Sequence, residues 1–98
     1  MKSSTRDGFH AWHFVTNHGH VLTHLAHQPE SRLRDIAAVV GITERTAAQI
    51  VDQLEHAGYL TRSRTGRRNS YTVHTEVPLR HPAHQHRTVG DLIQFLGA

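Results

Sequence analysis

Apolar residues recur along this chain with two different periods. Between residues 17 and 27, Val21, Leu22, Leu25 and Ala26 share one helical face, with Thr16 placed to cap the first turn and Pro29 just past the natural end. Leu33, Ile36, Ala37 and Val40 repeat the helical spacing, and Gly41 supplies the left-handed conformation that stops such a helix. Thr43 is a good N-cap for the next helix, with Glu44 in its first turn, where the dipole favours an acid. Ala47, Ile50, Val51 and Leu54 lie along one side of it, and Ala57-Gly58 ends it. The period then shortens to two. Tyr59 to Arg64 and Asn69 to Thr75 are β-favouring runs around Thr65-Gly66-Arg67-Arg68, which predicts a hairpin.

The ends are less regular. Residues 1–8 are polar without a periodic apolar position and read as a flexible arm. Between Phe9 and Val15, Trp12 and Phe14 alternate with His13 and Val15, which predicts a short strand, with a helical start as the alternative. Val77 to Arg87 holds Pro78, Pro82 and three histidines with no period, and reads as a connecting loop over 76–87. Thr88 and Asp91 form a capping-box pattern ahead of a last helix over 88–97, whose stripe is Val89, Leu92, Ile93 and Leu96. So short a helix has to pack its apolar face on the domain or on a second subunit. Together these elements predict an α+β winged helix-turn-helix. It has a three-helix core with a β-hairpin wing, a short N-terminal extended segment and a short C-terminal helix. The whole chain, 1–98, forms one domain with its core module at 16–75.

Charge adds a partner to this picture. Eleven Lys and Arg against eight Asp and Glu give a formal charge of +3, and their distribution says more than the total. Arg62, Arg64, Arg67 and Arg68 cluster on the hairpin, and no acid lies between Glu55 and Glu76. In a helix-turn-helix the second helix presents its polar N-terminal face to the major groove. With Ala47, Ile50, Val51 and Leu54 buried, Glu44, Arg45, Ala48, Gln49 and Asp52 turn to the opposite side. Arg45 suits a bidentate contact with guanine, and Gln49 suits one with adenine. Thr43 and Thr46 are placed for phosphates, and the small Ala48 permits close approach. Glu44 would accept from cytosine or orient Arg45. The wing, with Arg62, Arg64, Arg67, Arg68 and Asn69, would follow the backbone and reach the minor groove, Gly66 allowing its tight tip.

Three stretches, LRDIAAVVGITERTA at 33–47, LEHAGYLTR at 54–62 and GRRNSY at 66–71, resemble bacterial MarR/ArsR-type winged-helix transcriptional regulators over residues 16 to 75. The resemblance implies a homodimer that binds double-stranded DNA at an operator with two half-sites and usually represses, and the expected localisation is cytoplasmic. The regions outside the module are shorter than the long dimerisation helices of many members. Trp12, Phe14, Leu92, Ile93, Phe95 and Leu96 are the dimerisation candidates, with completion of the monomer core as the alternative.

Other chemistries are weighed against this. Histidine occupies 11 of 98 positions. His20, His24 and His27 fall at i, i+4 and i+7, while His81, His84 and His86 cluster in the loop, so either trio is a candidate zinc, nickel or copper site in a metal-responsive variant of the same fold. Protonation of these groups near pH 6.5 would add positive charge and tighten DNA binding. The alternative is surface histidines without a ligand. A winged helix used only for protein contacts is another alternative. No cofactor is implied. The absence of cysteine excludes disulfides and thiol chemistry, and there is no phosphate-binding glycine loop, G-x-S-x-G or paired carboxylates to suggest an enzyme. No apolar run is long enough to span a bilayer, and none follows the N-terminus as a signal core, so a soluble intracellular protein is expected.

Overall fold

The computed structural model describes residues 13–97, and these form helices α1 (Asn17–His27), α2 (Leu33–Val40) and α3 (Glu44–His56), strands β1 (Leu60–Thr65) and β2 (Arg68–Val73), a 3₁₀ turn at Pro82–His84 and helix α4 (Val89–Phe95). Local side chains set most of the boundaries. The Thr16 hydroxyl accepts the Gly19 N–H at 3.2 Å at the start of α1, and Thr43 does the same for the Thr46 N–H at 3.0 Å at the start of α3. At the start of α2 the Asp35 carboxylate accepts the N–H of Arg32 at 3.4 Å. Gly41 ends α2 with φ of 84°, and the Gly41 and Ile42 N–H groups both donate to the Ala37 carbonyl, at 2.8 and 3.0 Å.

The three helices pack around one core. Val21, Leu22 and Leu25 from α1 meet Ile36 and Ala37 from α2 and Ala47, Ile50, Val51 and Leu54 from α3, and all are buried. The hairpin closes the cluster with Tyr59, Leu60 and Tyr71. Each large aliphatic side chain here contributes about 1.5–3 kcal/mol by leaving water. Ala37 and Ala47 contribute little area, but their size lets the backbones of α2 and α3 come close.

The two strands pair antiparallel from Leu60 with Val73 to Thr65 with Arg68, leaving Gly66-Arg67 as a two-residue turn. Gly66 has φ of 62°, and no non-glycine described residue has positive φ, so the turn carries the type II′ signs that match hairpin twist. A backbone bond joins the wing to the body: the Tyr71 N–H donates to the Pro29 carbonyl at 2.8 Å. Pro29, in the turn after α1, thus lies beside β2.

After β2 the chain turns outward and returns. The Val89 N–H donates to the Val77 carbonyl at 2.8 Å, and Pro78 bridges Thr88, so the excursion between them is pinned at its base. At the start of α4 the Asp91 N–H donates to the Thr88 hydroxyl at 3.2 Å, and the Thr88 N–H donates to the Asp91 carboxylate at 3.0 Å. That last bond is the main reason the Asp91 carboxyl lies below its ordinary pKa, with the Thr88 side chain and Arg87 adding to the effect against slight desolvation. Val89 is buried and Ile93 packs on the core, so this face of α4 completes the monomer.

The predicted boundaries of α1, α2, α3 and the hairpin agree with these spans to within a residue or two. The strand expected over Phe9–Val15 does not form where it is described: residues 13–15 run into a bend ahead of Thr16, and the rest of that segment, Trp12 included, lies outside the described residues. Among the described residues the sheet consists of β1 and β2, and residues 13–15 belong to neither.

The turn between α2 and α3 is conformationally determined. Nothing lies within 4 Å of where a Gly41 Cβ would sit, so a side chain there meets only the backbone penalty of positive φ. Gly41→Ala is expected to lower the unfolding free energy by about 1–2 kcal/mol, and Gly41→Asn by less, because asparagine tolerates the left-handed region. Urea titration with an unchanged slope checks this, and equal stability of the alanine variant would contradict it.

Candidate nucleic-acid interface

The buried face of α3 determines what its other face offers. Glu44, Arg45 and Gln49 are exposed near its N-terminus, while Thr46 and Ala48 are half-buried along the margin. Two polar side chains capable of bidentate hydrogen bonding therefore project one turn apart from a helix held rigidly from behind. Thr43 is differently occupied. Its oxygen takes the Thr46 N–H, and its own O–H donates to the Thr46 hydroxyl at 3.0 Å, so its side chain serves the helix start. The Thr46 O–H is then the donor of the pair left for an outside acceptor.

The wing arginines divide into different roles. Strand alternation puts Leu60, Arg62 and Arg64 on one face of β1, opposite Val73, Tyr71 and Asn69 of β2. Arg62 consequently faces α3. Its guanidinium binds Asp52 and, at 3.0 Å, Glu55, and the Glu55 carboxylate also accepts the Arg62 backbone N–H at 3.3 Å. The hydrogen bond to Asp52 is the largest influence raising the Arg62 pKa, partial burial opposes it, and Glu55 adds to it. Arg62 thus braces α3 against the wing, with two carboxylates beside its charge. The position was readable in principle, since it lies two residues after the buried Leu60 in a strand.

The remaining three stay toward solvent. Arg64 folds its Nε–H onto the Gly66 carbonyl at 3.3 Å and so supports the tip. Arg67, in the turn, is exposed, and Arg68 reaches across to the Glu30 carbonyl at 3.4 Å. Asn69 is half-buried beside them. Among the described residues both ion pairs within 4.0 Å belong to Arg62, so the charges of Arg45, Arg64, Arg67 and Arg68 are uncompensated at that range.

This arrangement of α2, turn, α3 and wing has known relatives. The family model described as the MarR family matches residues 16–66, from the N-cap of α1 to the tip of the wing, just over half the chain. The chain belongs to the MarR family. Among solved structures, this MarR-family chain is similar to MepR, a transcription regulator of the Staphylococcus aureus multidrug efflux pump MepA. The two are 26% identical with a TM-score of 0.53, over 63% of this chain and 49% of MepR. The chain spans about half the length of that relative. No curated protein matches it.

The histidine trios of this MarR-family chain do not converge. The His24 ring hydrogen-bonds Ser31 at 2.8 Å, the His27 ring bonds the Thr23 carbonyl at 2.9 Å, and His20 stands edge-on to His13 at 6.0 Å. In the loop, His81 and His84 have ring centroids 5.9 Å apart, but His81 Nδ1 already accepts the Ala83 N–H at 3.1 Å, and His86 is exposed. Among the described residues no three or more His, Cys, Asp or Glu side chains are grouped to hold a metal ion. Helical spacing brought the α1 trio into register along one face, but each ring turned to a nearer partner.

The dimerisation candidates also separate. Phe14 and Phe95 are 94% and 86% exposed, and Leu96 is 39% exposed, whereas Leu92 and Ile93 are half-buried. Leu92, Leu22, Leu54 and Leu79 line an open groove of about 770 Å³ between α1, α3 and α4. No helix among the described residues is long and apolar enough to cross a membrane.

The Arg62 brace is testable by itself. Arg62→Ala is expected to lower stability by about 1 kcal/mol, with the difference from wild type shrinking at high salt because the pairs are partly exposed. A double-mutant cycle with Glu55→Ala should return a nonzero coupling, and additivity of the two single losses would contradict the bond.

Proposed function

We propose that this chain is a sequence-specific double-stranded DNA-binding transcriptional regulator, with α3 reading the major groove and the wing following the backbone. The observation that carries this is the exposed pair Arg45 and Gln49 on the outer face of a helix whose inner face is wholly buried, beside a wing tip with uncompensated arginines. Membership of the MarR family and similarity to a transcription regulator support it. Arg45 recognises guanine through its fork of donors, Gln49 recognises adenine, and Ala48 keeps the helix surface low enough for both to reach base edges. Glu44, one residue before Arg45, accepts from cytosine or orients the guanidinium. Arg67 enters the minor groove at the wing tip, where a narrow groove concentrates negative potential.

The regulator acts as a homodimer in this reading, most simply as a repressor in the cytoplasm, with two α3 helices one helical turn of DNA apart. Exposed Phe95 and Leu96 and the apolar groove beside α4 support a second subunit docking at this end.

Selection of duplexes from a random pool tests the whole proposal, and a palindromic preferred site with half-sites about 10 base pairs apart is expected. On that site Arg45→Ala and Gln49→Ala should each cost about 1–3 kcal/mol and relax preference at one base position. Arg67→Ala combined with Arg68→Ala should weaken binding to all duplexes and flatten its salt dependence. Unchanged base preference in the α3 variants would remove the major-groove role, and an unchanged salt slope would remove the wing contact.

A further inference from the structure

Two arginines outside the interface described above line a groove that continues it. Arg32 and Arg34 flank Leu33 at the start of α2, and both are exposed. With Arg67 and Arg68 of the wing, and with Glu30 and Glu44 at the rim, they border a cleft of about 400 Å³ between α2 and the hairpin. Four cations and two carboxylates give the cleft an excess of positive charge, and among the described residues none of these arginines has a carboxylate within 4.0 Å. Arg68 is held by a neutral partner, the Glu30 carbonyl, so its direction is set while its charge stays available.

The cleft is a built feature of the fold. The Tyr71 N–H to Pro29 carbonyl bond at 2.8 Å keeps the wing against the segment that leads into α2, so its two walls are tied together close to its floor, which includes the buried Tyr71. Glu44 belongs to the cleft and to the exposed N-terminal face of α3, so the two surfaces meet without a gap.

We propose that this cleft seats the phosphodiester backbone of the duplex beside the bases read by α3, with Arg32 and Arg34 as two phosphate contacts facing the wing arginines. The proposal rests on the DNA-binding reading above and extends it to a second element. Multiple arginines on opposite walls suit a strand of regularly spaced anions that enters from one side and leaves by the other. They anchor and orient the chain on DNA, and carry no base preference of their own.

The test is fluorescence anisotropy of the full chain on its preferred duplex across a salt series, comparing wild type, Arg32→Gln with Arg34→Gln, and Arg32→Lys with Arg34→Lys. Both double variants keep long side chains at exposed positions, so either reports on charge with the fold intact. Loss of two phosphate contacts should make the logarithmic salt slope shallower by about 1.8, so that wild type loses roughly 12-fold more affinity than the glutamine variant between about 50 and 200 mM salt. The lysine variant should keep the wild-type slope, and the ranking of duplex sequences should be the same in all three. A glutamine variant with the wild-type slope overturns the cleft contact while leaving base reading by Arg45 and Gln49 intact. A changed ranking of sequences overturns it in favour of base contact. Wild-type chain that binds poly-glutamate but selects no duplex overturns both readings and makes an acidic peptide the occupant.

Discussion

One constraint governs the rest of this structure: α3 must be held entirely from one side. Ala47, Ile50, Val51 and Leu54 all point inward and are buried, and α1 and α2 supply the apolar surface they need. That arrangement leaves the opposite face free of any packing duty, so it can be polar without cost to the core. The small residues Ala37 and Ala47 and the left-handed Gly41 make the α2–α3 turn tight. A looser turn would leave α3 free to rock, and side chains one turn apart on its outer face can present fixed hydrogen-bonding groups only if the helix axis is held to within a fraction of an ångström.

The wing is attached to this body by bonds of different physical kinds. On the β2 side, the Tyr71 N–H meets the Pro29 carbonyl while the Tyr71 side chain is buried, which is a neutral attachment insensitive to salt. On the β1 side, Arg62 binds Asp52 and Glu55 of α3, an ionic attachment with side chains 30%, 68% and 39% exposed and therefore open to screening. The ionic attachment is the one that ionic conditions or a neighbouring polyanion would weaken.

Most of the fold was legible because local chemistry punctuates it. Thr16, Thr43 and Thr88 each cap a helix with their hydroxyls, Gly41 stops one, and Gly66 sets the hairpin register, all through bonds or torsions within a few residues. What was not legible depends on partners distant in sequence. The Tyr71–Pro29 bond and the Arg68–Glu30 bond join residues about forty positions apart, and no spacing rule points to either. The alternation of Trp12, His13, Phe14 and Val15 suggested a strand, but an alternating pattern names no pairing partner, and residues 13–15 are not part of the two-stranded sheet. The histidine spacing on α1 was real, yet shared direction along a helix is weaker than convergence, and Ser31 and the Thr23 carbonyl took the rings first.

Arg62 shows how a charge count misleads at a candidate site. Four arginines in seven residues suggested a uniform basic wing, but one of them is neutralised by Asp52 and Glu55. That pairing removes positive charge from the hinge of the wing and simultaneously removes two carboxylates from the outward field of α3. The arginines left without ion pairs are at the tip, on α3 and at the start of α2. Of the acids, Asp52 and Glu55 are tied to Arg62, whereas Glu30 and Glu44 line the cleft with the arginines and Asp35 sits at the start of α2, so the positive field at this surface is an excess tempered by these three carboxylates. A polyanion approaching the chain meets exposed arginines at the start of α2, on α3 and on the wing, with Asp35 and Glu44 among them. Such an arrangement combines attraction with direction, since exposed like charges act at a distance whereas the hydrogen-bonding groups of Arg45 and Gln49 act only at contact.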